Sequence, residues 1–471
     1  MMPYLPVKRV LAGGAVFLAL ALPTGIAFPF VHAQERATEN ALPATREAEA
    51  LFDEGTAFAE MESWQAALAD YELIEQKFGT TGDAETLQWV ARALVGKGIA
   101  LEAMGMPGPA LAAYDEVVNR FGEATSPAIR EQVANALMNQ GAFWLEHAEH
   151  EKAAAAFEAI DRRFGQDAAP VIREIVARAL SDQGIAIYNQ DRRGETIALY
   201  DRLEARFENE TNPAIRIHRA RARFNKGVIL ENMENFDAAF DAYSELERLF
   251  GKDDNPDMRK WIAFAGARKG EVRGLQGRHA EAIVLYDQVA QRFGQDDNPG
   301  VRSAVAAALT GKGVTLNERL HDPAGALETS ERVLRQYCAN VEDRPGDTCD
   351  RALGNTVEPL ILLGRTPEAL ARIRTIREQS PAGSLRIAVM TFLAWLIESG
   401  EYAQADVVAD IRAIAPDASV SWLFNSMRPL MERQPEPRKT QARCFAEFFE
   451  DHRNADILES CLDPADGNGS S

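Results

Sequence analysis

Between Ser126 and Gly165 the apolar residues fall into two helical stripes separated by a short polar turn. Ile129, Val133, Ala134, Leu137, Met138, Gly141 and Trp144–Leu145 share one helix face. They predict a first helix of about 20 residues, roughly 30 Å long. Ser126-Pro127 marks its start, with an N-cap residue followed by proline at the first helical position, where the missing N–H costs nothing. After a turn at His147–His150, Ala153, Ala156, Phe157 and Ile160 define the face of a second helix of about 13 residues. Phe164-Gly165 ends it with a C-terminal glycine. Asn212-Pro213, Asn255-Pro256 and Asn298-Pro299 repeat the start signal, and no β-type alternation of comparable strength occurs.

This unit recurs. Gly55, Gly98, Gly141, Gly184, Gly227, Gly270 and Gly313 are separated by six steps of 43 residues without slippage. Sixteen residues after each of the first six stands an aromatic: Tyr71, Tyr114, Phe157, Tyr200, Tyr243 and Tyr286. A second aromatic closes each unit at Phe78, Phe121, Phe164, Phe207, Phe250 and Phe293. Ala67, Ala110, Ala153, Ala239 and Ala282 lie twelve residues after their glycines, with Thr196 the exception. Such a period is the mark of a repeat array. Glycine inside a helix costs ~0.5–1 kcal/mol relative to alanine. Paying that penalty seven times implies a compensating contact: the bare backbone lets the partner helix approach, and its aromatic fills the gap.

The column set resembles the tetratricopeptide repeat (TPR): Gly98, then Ala110 twelve residues on, Tyr114 four beyond and Val117 three further. The resemblance implies an all-α fold, an α-solenoid of stacked antiparallel helix pairs in a TPR-like superhelix. The usual repeat has 34 residues, and the nine extra residues here fall between Phe121-Gly122 and Ala134, lengthening the first helix. Seven repeats are expected over 47–337, following a linker over 34–46. Residues 338–461 carry degenerate repeat-like helices and a C-terminal cap, and 462–471 form a disordered tail. In the seventh unit Ser330 replaces the aromatic; beyond it Gly364–Ala369 and Gly400–Ala405 introduce two more second helices, and 421–434 and 440–452 are expected to be capping helices.

Composition adds a compartment. Lys8 and Arg9 precede an apolar stretch from Val10 to Phe28, and Val31-His32-Ala33 follows the A-x-A pattern, the order of a secretory signal cleaved after Ala33. An uncleaved N-terminal membrane anchor is the alternative, disfavoured by Pro23 and Gly25. A secreted or periplasmic protein follows, with no membrane insertion after cleavage. The net charge of −20, becoming −22 without residues 1–33, argues against sequence-independent binding of nucleic acid. Outside the cytoplasm four cysteines favour disulfides, and the pairs Cys338–Cys349 and Cys444–Cys461 close the shortest loops.

Catalytic signatures are missing: no P-loop, G-x-G-x-x-G after a strand, HExxH or G-x-S-x-G. Catalytic, cofactor and metal residues are therefore assigned as none. His147 and His150 read as turn residues rather than ligands. Arg130, Arg173, Arg216, Arg259 and Arg302 form an in-phase column whose favoured role is a salt bridge to the acidic inter-repeat turns. In TPR proteins the concave surface is lined by first helices. Carried onto this chain, the candidate partner-binding groove comprises Arg92, Glu102, Asn135, Met138, Glu146, Arg178, Tyr188, Asn189, Arg221, Phe224, Glu231, Asn232, Asn317 and Glu318. The leading expectation is a non-enzymatic envelope scaffold binding a protein or peptide. A carbohydrate or envelope-polymer binder using Trp144, Tyr188 and Phe224 as stacking faces is second, and an enzyme with a site assembled across repeats is third.

Overall fold

A computed structural model describes residues 43–339, 346–397, 400–414 and 424–450. All regular elements among them are helices, paired in sequence order. The chain divides after Lys226 into two compact units.

The first unit contains α1 (Ala44–Glu60), α2 (Trp64–Phe78), α3 (Ala84–Ala103), α4 (Pro107–Phe121), α5 (Pro127–Glu146), α6 (His150–Phe164), α7 (Pro170–Tyr188), α8 (Arg193–Arg206) and the start of α9 (Pro213–Asn232). Odd-numbered helices are the long first helices of the repeats, and even-numbered ones the second helices. The glycine column does what its cost implied. A Cβ added at Gly98 would lie 2.3 Å from Tyr114 Cε1, one at Gly141 2.4 Å from Phe157 Cε1, and one at Gly184 2.2 Å from Tyr200 Cε1. All three rings are fully buried. The ring also meets the first helix of the next repeat: a Cβ at Gly96 would stand 2.8 Å from Tyr71 Cε2.

The turn between paired helices has a left-handed residue that recurs with the same period, at Glu62, Gly105, Ala148 and Asp191. Only one of these four is glycine, so the column leaves little trace in the sequence. The glycine that ends α2, α4 and α6 (α8 ends at Phe207 without one), by contrast, is right-handed, with Gly165 at φ −57°. Its smallness serves a neighbour instead. Arg163 lies against Gly122 and Arg206 against Gly165, placing a guanidinium from the next repeat at the negative end of the helix dipole.

The arginine column bridges repeats as expected, Arg130 pairing with Asp167 at 2.9 Å and Arg173 with Glu210 at 2.6 Å. A second ladder joins α3, α5 and α9 to the preceding second helix: Lys97–Glu75 at 2.9 Å, Gln140–Asp115 at 2.7 Å and Lys226–Asp201 at 2.5 Å. Of the proline start signals, Asn212 accepts from Ala214 N at 2.9 Å, whereas the Ser126 hydroxyl makes no capping bond.

The second unit continues from α9 through α10 (Phe236–Phe250), α11 (Pro256–Leu275), α12 (His279–Phe293), α13 (Pro299–Glu318) and α14 (Pro323–Tyr337). Gly227–Tyr243 and Gly270–Tyr286 repeat the close packing, at 2.4 and 2.5 Å. At the seventh position no ring packs on Gly313: a Cβ there would meet the Ser330 hydroxyl at 3.1 Å and the Ala326 carbonyl at 3.6 Å. Arg259 bridges to Asp296 at 2.7 Å, and Asp253 and Asp296 each accept from the Asn two residues on.

Beyond α14 the helices shorten: α15 (Gly346–Gly354), α16 (Val357–Leu362), α17 (Thr366–Gln379), α18 (Leu385–Leu396), α19 (Gln404–Arg412), α20 (Arg428–Glu432) and α21 (Arg438–Glu450). Cys338 and Cys349 form a disulfide; Cys461 lies outside the described residues, as do the signal and tail segments. Left-handed Gly364 and Gly400 precede α17 and α19 at the two expected turns. Within the described part of the helix expected over 421–434, residues 424–434, the helix is five residues long, with Pro429 in its first turn and Pro435 beyond its end. Phe424 and Met427, just before it, are buried against Phe392 and its neighbours.

The packing account yields a pair of opposite outcomes. Gly141→Ala gains ~0.5–1 kcal/mol of helix preference but overpacks Phe157, at a cost of ~1–3 kcal/mol. Gly274, on α11, has nothing within 4 Å of an added Cβ, so Gly274→Ala only gains. Thermal unfolding followed by circular dichroism should therefore place the first variant below wild type and the second above it. A Gly141→Ala protein melting at or above wild type would refute the tight contact.

Candidate functional site

In each repeat the position two residues before the packing glycine faces the aromatic of the preceding repeat. At Gly96 the tyrosine ring closes onto the backbone; in the following repeats the position is Asn139, Asp182 and Asn225. Asn225 Nδ2 approaches Tyr200 Oη at 3.4 Å. Asp182 stands in register with Phe157, the one ring of the six without a hydroxyl. Its carboxylate is fully buried and is met instead by arginines. Arg221 Nη1 is 2.7 Å from Oδ1 and Arg178 Nε is 3.6 Å from Oδ2. Arg178 and Arg221 occupy one repeat column with Arg92 and Asn135, so the pattern brings four of the predicted groove residues onto one face of the first unit.

The floor of this face is polar and poorly paired. Asn135 and Asn139 are each 2 % exposed, and Asn135 Oδ1 and Asn139 Nδ2 have no hydrogen-bond partner. Gln132 and Ser181 are fully buried with no side-chain partner. Each such group costs ~1–3 kcal/mol of uncompensated desolvation, and native folds hold only a few per 100 residues. Here they concentrate on α5 and α7. The rim is cationic: the side chains of Arg178 and Arg221 are 18 % and 15 % exposed. Arg92 lies half-buried over the Trp89 ring, at 4.7 Å.

His218, on α9, faces the same cluster. Desolvation pushes its imidazole pKa down to about 3, Arg221 and Arg178 push the same way, and Asp182 opposes them. Desolvation also lowers the Arg178 value, against the pull of Asp182, and raises that of Glu174, which Arg178 opposes.

The other predicted residues fare differently. Met138 and Phe224 are each 1 % exposed and belong to the core; Phe224 offers no stacking face. Trp144 carries the Lys152 ammonium 4.4 Å from its ring centroid. Glu102 accepts from Tyr114 Oη at 3.2 Å, so it braces the packing tyrosine. Tyr188 is half-buried, and Glu146 and Asn189 are exposed near the ends of their helices. His147 stacks on Phe143, with ring centroids 4.0 Å apart.

In the second unit Glu231 accepts from Tyr243 Oη at 3.1 Å and pairs with Arg268 at 3.2 Å, while Asn232 is exposed. Burial raises the Glu231 pKa, with Arg268 opposing. Asn317 and Glu318 are buried under the chain's own C-terminal segment. Asn317 Nδ2 donates to Ser426 Oγ at 3.0 Å, Ser426 N donates to Glu318 Oε2 at 3.2 Å, and Ser426 Oγ donates to Glu358 Oε2 at 2.6 Å. Sequence spacing could not show that residue 426 returns to residue 317.

Among the described residues no group of three or more His, Cys, Asp or Glu comes together, and no helix is long and apolar enough to cross a membrane.

The His218 environment has a measurable consequence. Its folded pKa lies below the ordinary value of 6.5. Between the two values the unfolded chain binds the extra proton, so this contribution to stability is complete above pH ~6.5 and is lost as the pH falls, by at most ~1.4 kcal/mol per unit. Between pH 6.5 and 5 the melting temperature of wild type should fall faster than that of His218→Gln. Parallel curves would show that His218 titrates normally.

No protein-family model and no characterised protein matches the sequence. Solved structures do. The apo form of RapI is 10% identical, matching 88% of this chain and 95% of its own at a TM-score of 0.47. The quorum sensor NprR from B. thuringiensis is 10% identical over 80% of this chain and 99% of its own, with a TM-score of 0.46. A tetratricopeptide repeat protein from Parabacteroides merdae is 13% identical over 65% and 99%, with a TM-score of 0.38. With its helices paired in order and its glycine, alanine and aromatic columns packed as observed, the chain is a TPR-like helical-repeat protein.

Proposed function

We propose that this protein is a non-enzymatic scaffold or adaptor of the cell envelope that binds a protein or peptide along the first-helix face of its first unit. The observation that carries the reading is the floor of unpaired polar atoms on α5 and α7 beneath an arginine rim. A scaffold gains nothing from burying such groups, since apolar residues of the same size fill a core better. These atoms are enclosed in the unbound protein, so a bound chain gains from them where a carboxamide rotates outward to donate to and accept from a peptide unit. The apolar segment and Val31–Ala33 support export, with cleavage after Ala33.

The carbohydrate reading is weaker on this face. Stacking needs an open aromatic ring, and of Trp144, Tyr188 and Phe224 the first is covered by Lys152, the second is half-buried and the third is buried.

Asn135→Leu separates binding from architecture. It removes an unpaired polar group at nearly constant volume, so the melting temperature should hold or rise. Binding of residues 34–471 to peptide arrays should fall well below wild type, with no counterpart on glycan arrays. A variant that is destabilised, or that binds peptides as wild type does, would contradict the proposal.

A further inference from the structure

We infer that the Arg178–Asp182–Arg221 cluster is a built-in receptor for an acidic side chain of the bound peptide, with Asp182 acting as an internal competitor for the two guanidiniums. The inference rests on the peptide-binding reading above and specifies its ligand.

The arrangement places two cations around one fully buried anion, 2.7 Å and 3.6 Å away. His218 beside them is held neutral. Glu174 is the other carboxylate facing Arg178. Asp182 stands 2.7 Å from Nη1 of Arg221 as an ion pair, and a guanidinium has five donors in a planar fork suited to carboxylate. Both arginine side chains remain partly exposed, whereas Asp182 is sealed beneath them. A carboxylate arriving from the open side therefore meets cations first.

The surrounding sequence agrees. Residues 161–226 carry thirteen arginines and lysines against ten aspartates and glutamates, in a chain of net charge −20. The basic stretch attracts an acidic ligand that the rest of the molecule repels. Asn135, one repeat earlier in the column of Arg178, adds amide chemistry suited to a peptide backbone, which favours an Asp or Glu side chain within a peptide over a small free anion.

The test uses fluorescence anisotropy with the protein comprising residues 34–471 and three fluorescein-labelled nonapeptide pools. One pool has a central Asp or Glu and an amidated C-terminus. The second has Asn or Gln instead, and the third is the Asn/Gln pool with a free C-terminus. Wild type should bind the acidic pool about tenfold or more tightly than the second pool, as expected for charge-assisted hydrogen bonds. Arg221→Gln should erase that preference. Asp182→Asn should strengthen acidic-pool binding several-fold, an increase that loss of structure cannot mimic.

Equal binding of the acidic and amide pools by wild type would overturn the acidic-group receptor while leaving peptide binding intact. A preference for the third pool would overturn it in favour of a terminal carboxylate. Absence of binding to every pool would instead count against the peptide-binding reading itself. Weaker acidic-pool binding by a fully folded Asp182→Asn would overturn the competitor role. The wild-type comparison decides the receptor question even where a variant fails to fold.

Discussion

A bare stretch of helix backbone held against an aromatic ring, once every 43 residues, is the contact on which the rest of this structure depends. With added Cβ atoms standing 2.2–2.5 Å from the ring at five of the seven positions, no side chain larger than hydrogen fits without rearrangement. The helix forgoes ~0.5–1 kcal/mol per glycine and in return buries a whole Tyr or Phe between its own first helix and the next. Because each ring touches two repeats, packing inside a repeat and stacking between repeats are one interaction. Nearest-neighbour stabilisation of this kind is what a linear repeat array requires.

The same geometry decides where variation is tolerated. The alanine, glycine and aromatic columns are fixed by space, and the lysine and arginine ladders by their carboxylate partners in adjacent repeats. The position two residues before the glycine is less constrained. Glycine there lets the ring close, as at Gly96, whereas Asn139 introduces an amide nitrogen without a hydrogen-bond partner and Asp182 a buried carboxylate held by arginine ion pairs. The face assigned to partner binding thus begins where the packing rule is relaxed. Buried Asp182 and half-buried His218, whose imidazole pKa is lowered, accompany that relaxation in one segment of the first unit.

Much of the fold was legible because identical spatial demands recur at identical intervals, so glycines, aromatics and arginines could be read as columns. The left-handed turn residues were not, because Glu62, Ala148 and Asp191 adopt positive φ without the glycine that would mark it. The candidate face was only partly legible. Arg178 and Arg221 were singled out by repeat position, but Asp182, which pairs with them, looks in sequence like one more acid in an acidic chain. Met138 and Phe224 were assigned to the groove by repeat position, although their apolar side chains turn into the core. Asn317 and Glu318 illustrate a different limit. Their partner Ser426 lies more than a hundred residues away in a segment with no repeat register.

A double-mutant cycle between Gly184→Ala and Tyr200→Leu tests the central packing claim most directly. An added Cβ at residue 184 meets Tyr200 Cε1, Cζ and Oη at 2.2, 2.4 and 2.6 Å. Tyr200→Leu should therefore be destabilising by itself yet make room for alanine. Urea unfolding should show Gly184→Ala to be destabilising with Tyr200 present and neutral or stabilising in the Tyr200→Leu background, a coupling of ~1–3 kcal/mol. Additive effects of the two substitutions would contradict the account.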